Sequence, residues 1–119
     1  VMLGSAQPEE LAAFYQKVFA KKPDYVEDRW FGFQVGSCFL TIGFHDQVKA
    51  QAAEPARFIF NLETKDLAAE FTRLKGLGAK VVKEPYAMDG GNQPQIATFA
   101  DPDGNYFQLM VPWEQDAKE

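Results

Sequence analysis

Phe99-Ala100-Asp101-Pro102-Asp103-Gly104-Asn105-Tyr106-Phe107-Gln108-Leu109 is the stretch that decides how this chain folds. Pro102 fixes its own φ, Gly104 enters positive φ with no Cβ to clash, and Asp101, Asp103 and Asn105 carry short side chains that satisfy nearby backbone groups. The run is therefore a tight turn. Its apolar flanks, residues 96–99 and 106–111, read as strands that pair across it into a hairpin. In the second strand Gln108 and Met110 share one parity and Phe107 and Leu109 the other, so the neutral amide and the thioether point to one face of a sheet.

Working outward, the chain reads as the same unit twice. Residues 1–5 form a short apolar strand. Pro8, followed by Glu9 and Glu10, opens a helix to about residue 20, since proline is tolerated in the first turn and acids there suit the helix dipole. Leu11, Phe14, Tyr15, Val18 and Phe19 give that helix one apolar stripe, and Pro23 is the expected stop. Strands follow at 25–28, 30–35 and 38–44, separated by Asp28-Arg29 and Gly36-Ser37. A polar connector rich in Ala and Gln spans 45–55. The order then restarts with a strand at 57–63, a helix at 66–77 with Leu67, Phe71, Leu74 and Leu77 on one face, and Gly78 to end it. A strand at 80–83 and the hairpin complete the set. Leu11-Ala12-Ala13 and Leu67-Ala68-Ala69 open the two helices, each after an acid. Strand, helix and three strands, repeated, make two βαβββ modules at about 1–45 and 56–112 within a single domain, 1–119.

Composition bounds the function. With 46% hydrophobic and 14% aromatic residues the chain can bury a core, and no apolar run nears the roughly 20 residues of a membrane helix. Seventeen acidic against twelve basic residues give a net charge of −5 with scattered cations, which argues against nucleic acid as a partner. The single Cys38 excludes an internal disulfide framework and, with no signal peptide visible, fits a reducing, cytoplasmic compartment. Within an apolar strand Cys38 reads as a small core residue. Ser5, Ser37 and Cys38 have no base-and-orienter set, because His45 is the one histidine. The 88–93 loop, Met88-Asp89-Gly90-Gly91-Asn92-Gln93, lacks the lysine and following helix of a phosphate cradle and reads as a connector or a flap.

The hairpin resembles the Phe-x-Asp-Pro-Asp-Gly-Asn-x-x-Glu-Leu signature of the glyoxalase, bleomycin-resistance and extradiol-dioxygenase superfamily, the vicinal oxygen chelate proteins. Residues 8–19 resemble the first helix of those proteins, with its Phe-Tyr pair at Phe14-Tyr15. Residues 58–67 resemble the start of their second module. The resemblance implies an α+β fold in which two βαβββ modules form a curled mixed sheet around a cleft, and it implies a homodimer. In catalytic members the Glu of the final motif is a metal ligand, and here that position is Gln108. The usual His of the fifth strand has no counterpart in Arg57-Phe58-Ile59-Phe60-Asn61-Leu62, and residues 1–5 offer no ligand.

A cleft with aromatic and amide walls and no cation suits a flat organic molecule held by stacking and hydrogen bonds. Trp30, Phe39, His45, Asn61, Gln108 and Met110 are the expected ligand-binding residues, with no metal and no other cofactor. The favoured reading is a protein that binds a small organic molecule as bleomycin-resistance proteins do. One alternative is a metal-dependent lyase, isomerase or dioxygenase with a degenerate divalent-metal site involving His45 and Gln108. Another is an interaction module whose cleft is filled by its own side chains.

Overall fold

The first helix forms where the acids and apolar stripe place it. In the computed structural model, which describes residues 1–88 and 90–112, α1 spans Pro8–Phe19 after β1 (Met2–Ser5). Leu11, Ala12, Tyr15 and Val18 are buried along its inner stripe. It stops before Pro23: Ala20 takes the left-handed conformation at φ 57° and its N–H bonds to the Gln16 carbonyl. Strands β2 (Tyr25–Glu27), β3 (Trp30–Val35) and β4 (Cys38–Phe44) follow, and the sheet order is β1-β4-β3-β2 with β1 parallel to β4. One face of this sheet packs Phe33, Leu40 and Ile42 against α1, and the Phe19 and Phe33 rings meet edge to face at 5.3 Å.

The second module repeats that topology. It comprises β5 (Phe60–Glu63), α2 (Leu67–Gly76), β6 (Lys80–Tyr86), β7 (Ile96–Ala100) and β8 (Tyr106–Met110), in the order β5-β8-β7-β6 with β5 parallel to β8. Asp66 caps α2 by accepting from the Ala69 N–H at 3.1 Å. Leu67 and Leu74 are buried, while Leu77 is largely exposed at the helix end. Phe71 meets Phe99, and Phe99, Phe107 and Phe60 stack in sequence with ring centroids 5.6 and 6.1 Å apart. The architecture is α+β, two four-stranded mixed sheets each with one helix.

Several boundaries differ from expectation for identifiable reasons. The strand expected from residue 57 begins at Phe60, where its pairing with β8 begins at Phe107. Strand β6 runs past residue 83 through Pro85; it is an edge strand, and the register shifts between Lys83 and Tyr86 where proline lacks an N–H. Cys38 is exposed rather than core: it is the first residue of β4, paired with Val35 at the hairpin turn. Trp113 and Asp89 lie outside the described residues. No helix among those described is long and apolar enough to cross a membrane.

By packing, the chain divides into two units. The first holds residues 1–55 and takes in Asp101–Asn105, so the tip of the last hairpin belongs to the first unit while its strands belong to the second. What seats the tip is a buried polar network. Gly104 adopts φ 83°, and Asp101 Oδ1 accepts from the N–H groups of Asp103 and Asn105 at 3.0 and 2.8 Å. Its Oδ2 accepts from the Tyr15 hydroxyl at 2.7 Å and from Asn105 Nδ2 at 3.1 Å. Asp103 accepts from the Ser5 hydroxyl at 2.6 Å and from Gln7 Nε2 at 2.7 Å, and Ser5 Oγ in turn accepts from the Gln7 N–H at 2.9 Å. Asp101, Asp103, Ser5 and Tyr15 are all buried, and no buried side-chain polar atom of the described residues lacks a partner.

Burial raises the Asp101 carboxyl above its usual range, opposed by the hydrogen bonds from Tyr15 and Asn105. Burial, reinforced by the Asp101 charge, pushes the Tyr15 phenol well above its ordinary value of about 10. Tyr15→Phe removes one donor to a buried carboxylate and is expected to cost about 2 kcal/mol of stability in urea unfolding. Because the folded protein keeps the Tyr15 proton where the unfolded chain releases it, stability should be full below pH about 10 and fall as pH rises further. The gap between wild type and Tyr15→Phe should narrow over that range. An unchanged gap to pH 11 would contradict the assignment.

Candidate functional site

Cross-strand register settles which side chains share the face of the first sheet opposite α1. Glu27 pairs with Trp30 and Trp30 with Gly43; Tyr25 pairs with Gly32 and Gly32 with Thr41; Gln34 pairs with Phe39. Paired residues point the same way, so Tyr25, Glu27, Trp30, Gln34, Phe39 and Thr41 form one surface with two glycines set into it. Both glycines are covered by rings. A Cβ on Gly43 would stand 2.8 Å from the Trp30 indole, and one on Gly32 would stand 2.5 Å from the tip of the Phe39 ring. The rings thus lie across the backbone where side chains would otherwise stand. They are not sealed off, since Tyr25, Trp30 and Phe39 remain 49%, 42% and 42% exposed.

The polar groups on this face are few. The Tyr25 hydroxyl donates to the Glu27 carboxylate, which holds the Tyr25 phenol above its ordinary value. The Gln34 amide donates to the Gly36 and Cys38 carbonyls at the hairpin end. His45 follows β4 with its Cβ near Gly4; it is exposed, and its Nδ1 accepts from the Gln47 N–H at 3.2 Å, a local turn contact. Trp30, Phe39 and His45 are therefore all in the first unit, the two rings on the sheet and the imidazole at its end.

Asn61, Gln108 and Met110 belong to the second unit. Asn61 pairs with Gln108 and Gln108 with Thr98, while Glu63 pairs with Met110, so these five share the face opposite Phe60, Phe107 and Leu109. Gln108 Nε2 donates to the buried Thr98 hydroxyl at 3.2 Å, which fixes the orientation of the amide. Asn61 and Glu63 are exposed, and Gln108 and Met110 are half-buried.

These donors do not fit a divalent cation. Amide and hydroxyl oxygens are neutral, and a site of this kind uses about three imidazole, thiolate or carboxylate ligands. No three of His, Cys, Asp and Glu gather among the described residues, and His45 and Gln108 lie in different units. A cavity of about 340 Å3 opens in the first unit beside Gly4, Gln47, Val48, Gln51 and Asp103, but none of the six expected residues lines it. The residues that sequence reading missed are Tyr25, Glu27, Gly32, Gly43 and Thr98. A usable signal was present for two of them, since glycine inside a strand marks a close approach.

A family model described as "Glyoxalase-like domain" matches residues 1–110. The chain belongs to that family. No curated protein matches this glyoxalase-like domain. Among solved structures it is similar to a glyoxalase-related enzyme from Fulvimarina pelagi, at 20% identity and TM-score 0.73, covering 98% of this chain and 90% of that one. It is also similar to the fosfomycin resistance protein FosX from Listeria monocytogenes, at 18% identity and TM-score 0.72, covering 95% and 90%. A Glu-to-Gln variant of the Listeria protein, complexed with Mn(II) and 1S,2S-dihydroxypropylphosphonic acid, matches at 20% identity and TM-score 0.69, covering 98% and 91%. At such identities the likeness is one of fold. It supports the vicinal oxygen chelate architecture read from the hairpin.

Gly43→Ala tests the ring-on-glycine arrangement. The new methyl meets the ring-fusion atoms of the Trp30 indole, so the whole ring, 42% exposed, must swing outward, and the fold should survive with a loss of about 1–3 kcal/mol. The Trp30 indole should move, read as a changed indole N–H resonance in a 1H–15N spectrum. An unmoved Trp30 resonance would show that the ring does not lie there.

Proposed function

We propose that this glyoxalase-like domain binds a small, flat organic molecule by stacking and hydrogen bonding, without a metal ion. The observation that carries the reading is the pair of exposed rings, Trp30 and Phe39, laid across Gly43 and Gly32. A ring held flat on a sheet offers its π face with little side-chain freedom left to lose on binding. Within the first unit the His45 imidazole is the further polar group of this reading, while Asn61, Gln108 and Met110 share a separate face of the second unit. On the Gln108 face Glu63 is the one carboxylate beside neutral amide and hydroxyl donors, and no three of His, Cys, Asp and Glu gather among the described residues, which speaks for recognition over metal-assisted catalysis. Family resemblance supports a homodimeric, cytoplasmic protein of the sequestering kind. The Mn(II) in the Listeria neighbour keeps the metal-dependent enzyme as the reading to exclude.

Nile red, a planar neutral dye, serves as the probe. Its fluorescence should rise saturably with protein held in EDTA and change less than about twofold when MnCl2 replaces the chelator. Trp30→Ala and Gly43→Ala should each weaken binding about fivefold to tenfold, the scale of one aromatic contact. Binding abolished by EDTA and restored by Mn(II) would favour the enzyme, and binding indifferent to Trp30→Ala would remove the stacking surface from the account.

A further inference from the structure

We infer that the molecule stacked on this face is an organic cation, an aromatic or quaternary ammonium compound, with Glu27 as its counter-ion. The inference rests on the stacking reading above and names its ligand class. Across the face of β1 to β4 that carries Trp30, the register places Met2, Gly4, Tyr25, Glu27, Trp30, Gly32, Gln34, Phe39, Thr41 and Gly43, and Glu27 alone among these is charged. It stands directly opposite Trp30 on the neighbouring strand.

Three rings and one carboxylate on a shared sheet face, with Tyr25 bonded to Glu27 and Trp30 its cross-strand neighbour, are a cation-binding combination on physical grounds. The negative π face of an indole, phenol or benzene ring attracts a cation that has shed part of its water, and Trp does so best. Each ring here is between two-fifths and one-half exposed, so a ligand can reach it. The Tyr25 hydroxyl donates to Glu27, which holds the carboxylate beside the Tyr25 ring and gives it one fixed direction. The basic side chain nearest in sequence, Arg29, is committed elsewhere: it bonds Glu9 through Nε at 2.8 Å and lies 4.6 Å from the Phe44 ring centroid. An anion would meet Glu27 with no compensating positive side chain on this face. The chain's net charge of −5 favours approach of a cation in the same direction.

The test compares two probes of one shape. Phenyltrimethylammonium carries the charge, tert-butylbenzene is its neutral isostere, and the Trp30 indole and Tyr25 amide resonances are followed in a 1H–15N titration at low salt. The cation should bind about tenfold more tightly than the isostere. Glu27→Gln keeps an acceptor for Tyr25 and should bring the two within about twofold, and raising NaCl from 50 to 500 mM should weaken the cation alone. Equal binding of both probes, or a cation preference that survives Glu27→Gln, overturns the cation assignment while stacking stands, provided Trp30→Ala abolishes both. Failure of both probes to move Trp30 overturns the stacking reading as well. Thermal unfolding of Glu27→Gln and Trp30→Ala separates a lost fold from a lost site.

Discussion

Everything in the first unit leans on the carboxylate of Asp101. An ionised acid removed from water must be surrounded by donors, and this one takes four: two backbone N–H groups of its own turn, the Asn105 amide and the Tyr15 hydroxyl. Three of those come from the Asp-Pro-Asp-Gly-Asn run itself, and the fourth from α1. The turn signature and the Phe-Tyr pair of the helix, which look like separate marks in the sequence, are two ends of one hydrogen bond. Asp103 adds the end of β1 through Ser5 and the helix entry through Gln7. The most recognisable stretch of the chain is thus a fastening for α1 and β1.

The opposite side of the first sheet packs differently. With α1 held, Phe33, Leu40 and Ile42 fill the helix side at near-zero exposure. Strand alternation then obliges the intervening residues to face the other way, and they are of a different kind: large rings, two glycines, one acid and small polar groups. A ring resting on an interior glycine restores some of the packing the glycine forfeits. It also presents a flat π surface held in one place. The structural and the recognition roles of Trp30 and Phe39 are therefore compatible, since the same contact that steadies the ring prepares it to stack.

Much of this was legible in the sequence, and the failures have physical causes. Parity placed Asn61, Gln108 and Met110 on one face, and the ladder has them there, because alternation is local and the flanking phenylalanines declare the buried side. Two βαβββ units were legible from the order of elements. Helix and strand ends were not: Ala20 ends α1 through a left-handed residue that carries no sequence mark, and β5 starts only where β8 has a partner to offer. Cys38 misled because an apolar neighbourhood in sequence does not say how near a hairpin end lies. The pairing of Ser5 with Asp103, separated by 98 positions, has no local signature at all. Glu27 lay hidden for the same reason, being unremarkable until register puts it across from Trp30.

The two units carry faces of different polar character. On the second unit Gln108, bonded to Thr98, and Asn61 are neutral amides that serve anion, cation and uncharged molecule alike, since each carries both donor and acceptor. These amides by themselves discriminate charge weakly, and the exposed Glu63 on the same face adds one acid. The ring face of the first unit is the reverse, because its rings accept any flat partner while the quadrupole and the Glu27 carboxylate both favour positive charge. The position to which the resemblance gives a ligating carboxylate holds the neutral Gln108, and the first face carries its acid in Glu27. In the proposed reading, that acid is where an organic cation meets aromatic carbon.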